Sequence, residues 1–206
     1  MGTLSQGQRA PLQNLPADNQ QAILVQPRRG DASRAKVTLW KRSDQKWTRV
    51  GRALSATVGR NGIAAPGEKR EGDGRTPAGV FDLKRAFGYA TSEETGLEYR
   101  QATADDFWVD DAASPQYNQW VTGLPAAKSY ETLRRADDLY RQAIVVEYNT
   151  APVVRGAGSA IFIHIWRNHK TPTAGCVALS QPDIQKALLW LDATQQPVII
   201  LDHEPH

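Results

Sequence analysis

The chain has 206 residues, enough for one ordinary domain or a domain with a short tail, since domains run about 100–200 residues. Apolar residues make up 40% and charged residues 23%, which excludes a wholly disordered chain, and no apolar run approaches the roughly 20 residues of a membrane-spanning helix. A net charge of +3, dispersed over mixed-sign segments, forms no basic stripe of the kind that binds nucleic acid.

Residues 1–20 are Gln-rich, contain Pro11 and Pro16, and carry little periodicity, so a flexible arm is expected ahead of a domain over 21–206. No apolar leader is present; Met1-Gly2 fits either a replaced leader or residence in the cytosol, and composition does not choose between them. Strand-like runs follow at 22–26, 36–41 and 47–58, the last two joined by Ser43-Asp44-Gln45-Lys46 as a hairpin. Residues 59–77 hold five glycines together with Arg60, Lys69, Arg70 and Arg75 and few apolar positions, so they read as a long loop, functional or mobile. A strand is expected at 80–83, then an irregular insertion over about 90–128 that borders a cleft. Residues 129–138 read as a short helix, 143–148 as a strand, and 160–166 (AIFIHIW) as a strand buried on both faces. After a short strand at 176–179, Ser180 with Asp183 forms a capping pattern, and Ile184, Ala187, Leu188 and Leu191 make one helical stripe. Pro197 is read as the breaker of that helix, and 198–201 as a last strand. Many short strands with few short helices give a β-rich α+β class.

The chemistry concentrates at two residues. Period-two alternation puts Phe162, His164 and Trp166 on one strand face, so His164 is an imidazole in an apolar strand that needs a hydrogen-bond partner. Cys176 lies twelve residues on, beyond a loop with Pro172 and Gly175 as turn residues, and a strand–loop–strand return can bring the ring toward the sulfur. A thiol with an ordinary pKa near 8.5 is mostly protonated at pH 7, and an adjacent imidazole can take its proton and return it to a leaving amine. A thiol so activated is alkylated well below pH 8. The amides of Gly175 and Cys176 are candidate donors to an oxyanion. Each residue alone has a blander reading: His164 as a satisfied core histidine, Cys176 as a small buried apolar group. A His164/His169/Cys176 metal site matches no common zinc spacing, and a single cysteine excludes an internal disulfide. No metal or organic cofactor is called for.

Thr173-Ala174-Gly175-Cys176-Val177-Ala178-Leu179, with His164 upstream in Ser159-Ala160-Ile161-Phe162-Ile163-His164, resembles the catalytic segment of YkuD-type L,D-transpeptidases, cysteine enzymes of bacterial peptidoglycan. The likeness extends to Val58-Gly59-Arg60-Asn61-Gly62 and to the Gly-rich stretch ending in Thr76-Pro77-Ala78-Gly79. The resemblance implies an L,D-transpeptidase β-barrel or sandwich with a few short helices, Cys176 as acyl-accepting nucleophile, His164 as general base, Gly175 in the oxyanion motif and Thr173 as an orienting hydroxyl. Ala174 and Ala178 depart from the His and Arg common there; with Ala178 in the Arg position, Arg60, Lys69, Arg75 or Arg167 is expected to hold substrate, bordered by Trp166. Peptidoglycan stem peptides as donor and acceptor, carbapenem-type inhibitors, and a periplasmic or wall location follow from the same likeness. Resolution of the thioester by water, giving an L,D-carboxypeptidase or amide hydrolase, and a wall-binding domain without activity are the alternatives.

Overall fold

The computed structural model describes residues 11–204. Its framework is a sheet of ten strands: β1 (Gln21–Arg28), β2 (Asp31–Ser43), β3 (Lys46–Thr57), β4 (Gly79–Asp82), β5 (Arg85–Gly88), β6 (Glu98–Gln101), β10 (Gln142–Val145), β11 (Phe162–Ile165), β12 (Val177–Leu179) and β13 (Val198–Leu201). In space they run β4-β13-β1-β2-β3-β12-β11-β10-β5-β6. A second sheet, β8-β7-β9, is made by β7 (Asp106–Val109), β8 (Trp120–Thr122) and β9 (Tyr130–Thr132). The helix α1 (Gln181–Trp190) packs on this framework, and 11–13 are also helical, in keeping with the β-rich α+β architecture read from the sequence.

Local chemistry accounts for most of the boundaries. The 43–46 tetrapeptide closes the β2–β3 hairpin, with Asp44 and Gln45 at φ of 50° and 62°, the pair of positive values that suits the strands' twist. Ser180 caps α1, its Oγ accepting from the Asp183 amide at 3.3 Å, and Ile184, Ala187 and Leu188 bury the predicted stripe. The helix stops at Trp190, well short of Pro197; Asp192 then caps a 3-10 turn over Ala193–Gln195.

Strand β11 is buried on both sides, as its composition suggests. Ile161 and Ile163 join the main core with β1–β3 and α1, where Ile184, Leu188 and Leu191 pack. Phe162 faces the opposite way, into a second cluster with Phe87, Trp108, Leu133, Tyr140 and Cys176. The rings of Phe87, Trp108 and Tyr140 all meet Phe162 edge-on, with centroids 5.1 to 5.5 Å away.

Three expectations are corrected. Residues 129–138 form β9 and turns, because Tyr130, Glu131 and Thr132 pair with Val109, Trp108 and Phe107 of β7 and only Leu133 is fully buried, leaving no helical apolar face. The 90–128 insertion is more regular than its weak signal implied, supplying β6, β7 and β8. Residues 1–10 of the expected arm lie outside the described residues, but 11–20 are packed: Leu12 and Leu15 are buried with Trp40, Trp47 and Ile200, and Arg42 Nη1 donates to the Pro16 carbonyl at 2.6 Å.

Candidate active site

The Gly-rich loop scaffolds the turn that presents Cys176. Arg60 N donates to Thr173 O and Thr173 N to Val58 O, both at 2.9 Å, and Thr76 Oγ1 reaches the Cys176 carbonyl at 3.4 Å. Thr173 Oγ1 donates to the same carbonyl at 2.6 Å and accepts from Gly175 N at 3.2 Å, so its hydroxyl closes the turn. A Cβ on Gly175 would stand 3.0 Å from the Arg75 carbonyl oxygen, a contact that only glycine avoids. Thr173 thus takes the Gly175 amide, one of the two candidate oxyanion donors.

Strands β11 and β12 run parallel, with Ile163 opposite Val177 and His164 opposite Ala178. Phe162 and His164 therefore share one face of β11, and Ala178 the same face of β12. Cys176, one residue ahead of β12, joins that face: Phe162 N donates to its Sγ at 3.4 Å. The sulfur and the ring line one cavity of about 270 Å³, each residue 7% exposed. The connection between the two parallel strands contains no helix; Trp166, Arg167, Thr171, Pro172, Thr173 and Ala174 from it form much of the cavity wall.

Hydrogen bonding fixes the tautomer of His164. Nδ1 lies 2.8 Å from the Ile165 carbonyl, which can only accept, so Nδ1 carries the proton and Nε2 offers a lone pair. Burial lowers the imidazole to about 4 and pushes the Cys176 thiol up to about 12, with the Glu131 carboxylate adding to the latter. Burial thus disfavours the charged form of each group, and the charges of Lys69 and Arg135 offset it only in part at the sulfur, whereas the sequence expectation is a thiol ionised below pH 8. Tyr140 packs its ring edge-on to His164, centroids 5.2 Å apart, and donates its hydroxyl to Glu131, whose own carboxyl burial pushes upward.

The expected cations are dispersed. Arg167 lines the His164 cavity. Arg60 and Lys69 line a second cavity of about 200 Å³ with Glu71 and Asp110, which shares Glu131, Ala174 and Cys176 with the first. Lys69 is buried and held by Asp73 Oδ1 and the Arg70 carbonyl, each at 2.6 Å. Arg75 lines neither cavity; its amide donates to Asp73. Trp166 borders the His164 cavity, facing His169 at 6.4 Å between ring centroids. Sequence reading missed Glu131, Arg135 and Tyr140, which come to the sulfur from β9 and the turns after it. Arg135 grips Asp137 through Nε (2.8 Å) and Nη2 (2.7 Å), and Arg167 joins the same carboxylate at 3.1 Å. Their only sequence signal was a polar decapeptide with aromatic flanks, which fits a helix as well as a strand.

Among solved structures, the helical cell shape determining protein Pgp2 from Campylobacter jejuni is similar at a TM-score of 0.45 and 15% identity, over 92% of this chain and 50% of that one. The chain thus spans half the length of that structure. No curated protein matches. Residues 28–200 match the family model YkuD, the L,D-transpeptidase catalytic domain. The chain belongs to the YkuD family of L,D-transpeptidase catalytic domains.

Proposed function

We propose that the protein is an L,D-transpeptidase that acts on peptidoglycan stem peptides through a thioester on Cys176. The observation that carries this reading is that Cys176 lines two cavities, one together with His164, Arg135 and Arg167, the other with Glu71, Asp110, Arg60 and Lys69, while Glu131 borders both. A donor peptide on the His164 side brings the carbonyl that follows the L-centre of its diamino acid onto Sγ. As the S–C bond forms, His164 Nε2 takes the thiol proton, and the Cys176 amide meets the developing oxyanion. Collapse breaks the C–N bond, and the imidazolium returns the proton to the departing D-alanine amine.

Arg135 and Arg167, which share the Asp137 carboxylate, are the cations at this mouth that can meet the donor's terminal carboxylate where Ala178 offers none. An acceptor amine enters through the second cavity, past Glu71, Asp110 and Glu131, and resolves the thioester as a new amide. The second cavity favours an amine acceptor over water, since a hydrolase needs no built approach on that side. The stem peptides lie outside the cytoplasmic membrane, so this function places the protein in the periplasm or at the wall.

Incubation with a purified disaccharide tetrapeptide tests the proposal by mass spectrometry. We expect an acyl adduct on Cys176, released D-alanine and cross-linked dimers, all absent in Cys176→Ala. Trimmed tripeptide without dimer would assign an L,D-carboxypeptidase instead, and turnover by Cys176→Ala would refute the nucleophile.

A further inference from the structure

Ala160 enters β11 with φ of 52°, a left-handed conformation that crowds its Cβ against the following carbonyl and that residues with side chains rarely take. Both ends of this residue are held. Its amide donates to Asn118 Oδ1 at 3.1 Å, and its carbonyl accepts the Cys176 thiol at 3.3 Å. Asn118 is 3% exposed and all four of its amide positions are matched. Oδ1 also accepts from Trp108 Nε1 at 2.8 Å, and Nδ2 donates to the carbonyls of Tyr148 (3.1 Å) and Asn149 (2.7 Å).

The neighbouring contacts act in the same direction. The Tyr117 hydroxyl accepts from Gly158 N at 3.0 Å and donates to Glu71 at 2.5 Å, and Ser159 Oγ donates to that same carboxylate oxygen at 2.6 Å. The Tyr117-Asn118 dipeptide, from the connection between β7 and β8, therefore clamps 158–160 just ahead of the histidine strand.

We propose that Asn118 is a positioning residue for the nucleophile: by holding Ala160 in its left-handed conformation it aims the Ala160 carbonyl at the thiol, so that the resting S–H is donated there and not to His164. The proton then has two acceptors, the Ala160 carbonyl at rest and His164 Nε2 during attack. Rotation of the Cys176 side chain exchanges them, with no covalent bond made or broken. The inference rests on Cys176 being the working group. It explains why the small sheet reaches across to a backbone segment that contacts the sulfur only through one carbonyl.

The charged and titratable groups lining the cavities at the sulfur are His164 from β11, Glu131 and Tyr140, Arg135, Arg167 and, along the second cavity, Lys69, Arg60, Glu71 and Asp110. Substitutions at 118 or 160 remove none of them. Cys176 is the one cysteine in the chain, so the S–H stretching band in a Raman spectrum reports this thiol alone. In the wild-type protein the band should lie below that of a solvent-exposed thiol, as for a donated S–H.

Asn118→Ala should shift that band and raise the iodoacetamide rate at pH 8 about tenfold, the equivalent of one unit in thiol pKa. In the double variant with Ala160→Gly, glycine takes the left-handed conformation unaided, so the thiol signals should return although the bonds to Trp108, Tyr148 and Asn149 stay lost. A wild-type band at the free-thiol position overturns the proposal without any variant. An Asn118→Ala protein indistinguishable from wild type, or a double variant that stays like it, does the same. Neither readout uses a peptidoglycan substrate, so failure of the transpeptidase reading would leave these outcomes untouched.

Discussion

His164 and Cys176 divide one proton between two poor homes. Ionising the pair would place a thiolate and an imidazolium in a buried cleft, and burial opposes both charges, holding the ring near 4 and the thiol near 12. In the proposed reaction the proton therefore moves only as a substrate carbonyl draws density from sulfur. The free protein should react with iodoacetamide along a curve that climbs only in the alkaline range, with no inflection between pH 5 and 8. His164→Ala should leave that curve nearly unchanged while slowing thioester formation about 10²–10⁴-fold, the usual contribution of a positioned base. An inflection near neutrality that vanishes in His164→Ala would show a preformed ion pair and refute this account. At this scale the sequence was most legible: residue type, the twelve-residue spacing and the flanking glycine pointed to two side chains that the fold brings to one cavity. The ionisation state was not, because it depends on Glu131, Tyr140 and Arg135, which arrive from distant chain.

Among the elements, the small sheet is organised by a single carboxylate. Asp106 accepts from Thr103 N and Oγ1, Trp120 Nε1, Thr122 Oγ1 and Arg100 Nη2, joining β6, β7 and β8. Burial alone would raise its pKa, but the hydrogen bonds from Thr122, Thr103 and Trp120 outweigh that and bring it down to about 2. Its pKa falls on folding, so its stabilisation is fully present above about pH 4 and is lost as pH drops toward 2. The difference amounts to about 2 kcal/mol. Urea unfolding should show wild-type stability falling by that amount over this window, on top of the decline common to Asp106→Asn, which should be about 2–4 kcal/mol less stable at pH 7. Parallel acid limbs in the two proteins would remove Asp106 from this role. These strands escaped sequence reading because three or four residues carry at most two alternations. Their register is written in side-chain bonds to Asp106 rather than in an apolar stripe; β2, β3 and α1 are long enough for periodicity to show.

Over the whole molecule, three apolar clusters divide the labour: one joins the helix to the sheet, one surrounds the thiol, and one sits under the N-terminal segment. The last was hidden because Leu12 and Leu15 stand among polar residues, and the surface they cover, Trp40 and Trp47 with Leu24, Val198 and Ile200, comes from strands remote in the sequence. Leu12→Ala should cost about 2–5 kcal/mol by emptying a fully buried site, yet leave thioester formation by the folded protein unchanged, because Cys176 belongs to another cluster. A thermal midpoint equal to wild type would contradict that packing. The parallel neighbours β11–β12 and β1–β13 were equally beyond the sequence, since pairing between remote strands leaves no local pattern.

The helix-free crossover from β11 to β12 has a practical consequence. Its ends are anchored by the two strands that hold ring and sulfur, while residues 167–172 hang between them as an interchangeable rim. Grafting a different hexapeptide there would retune which ligands are admitted and leave the reacting atoms in register, so diversification of selectivity can proceed at that stretch without renegotiating the machinery behind it.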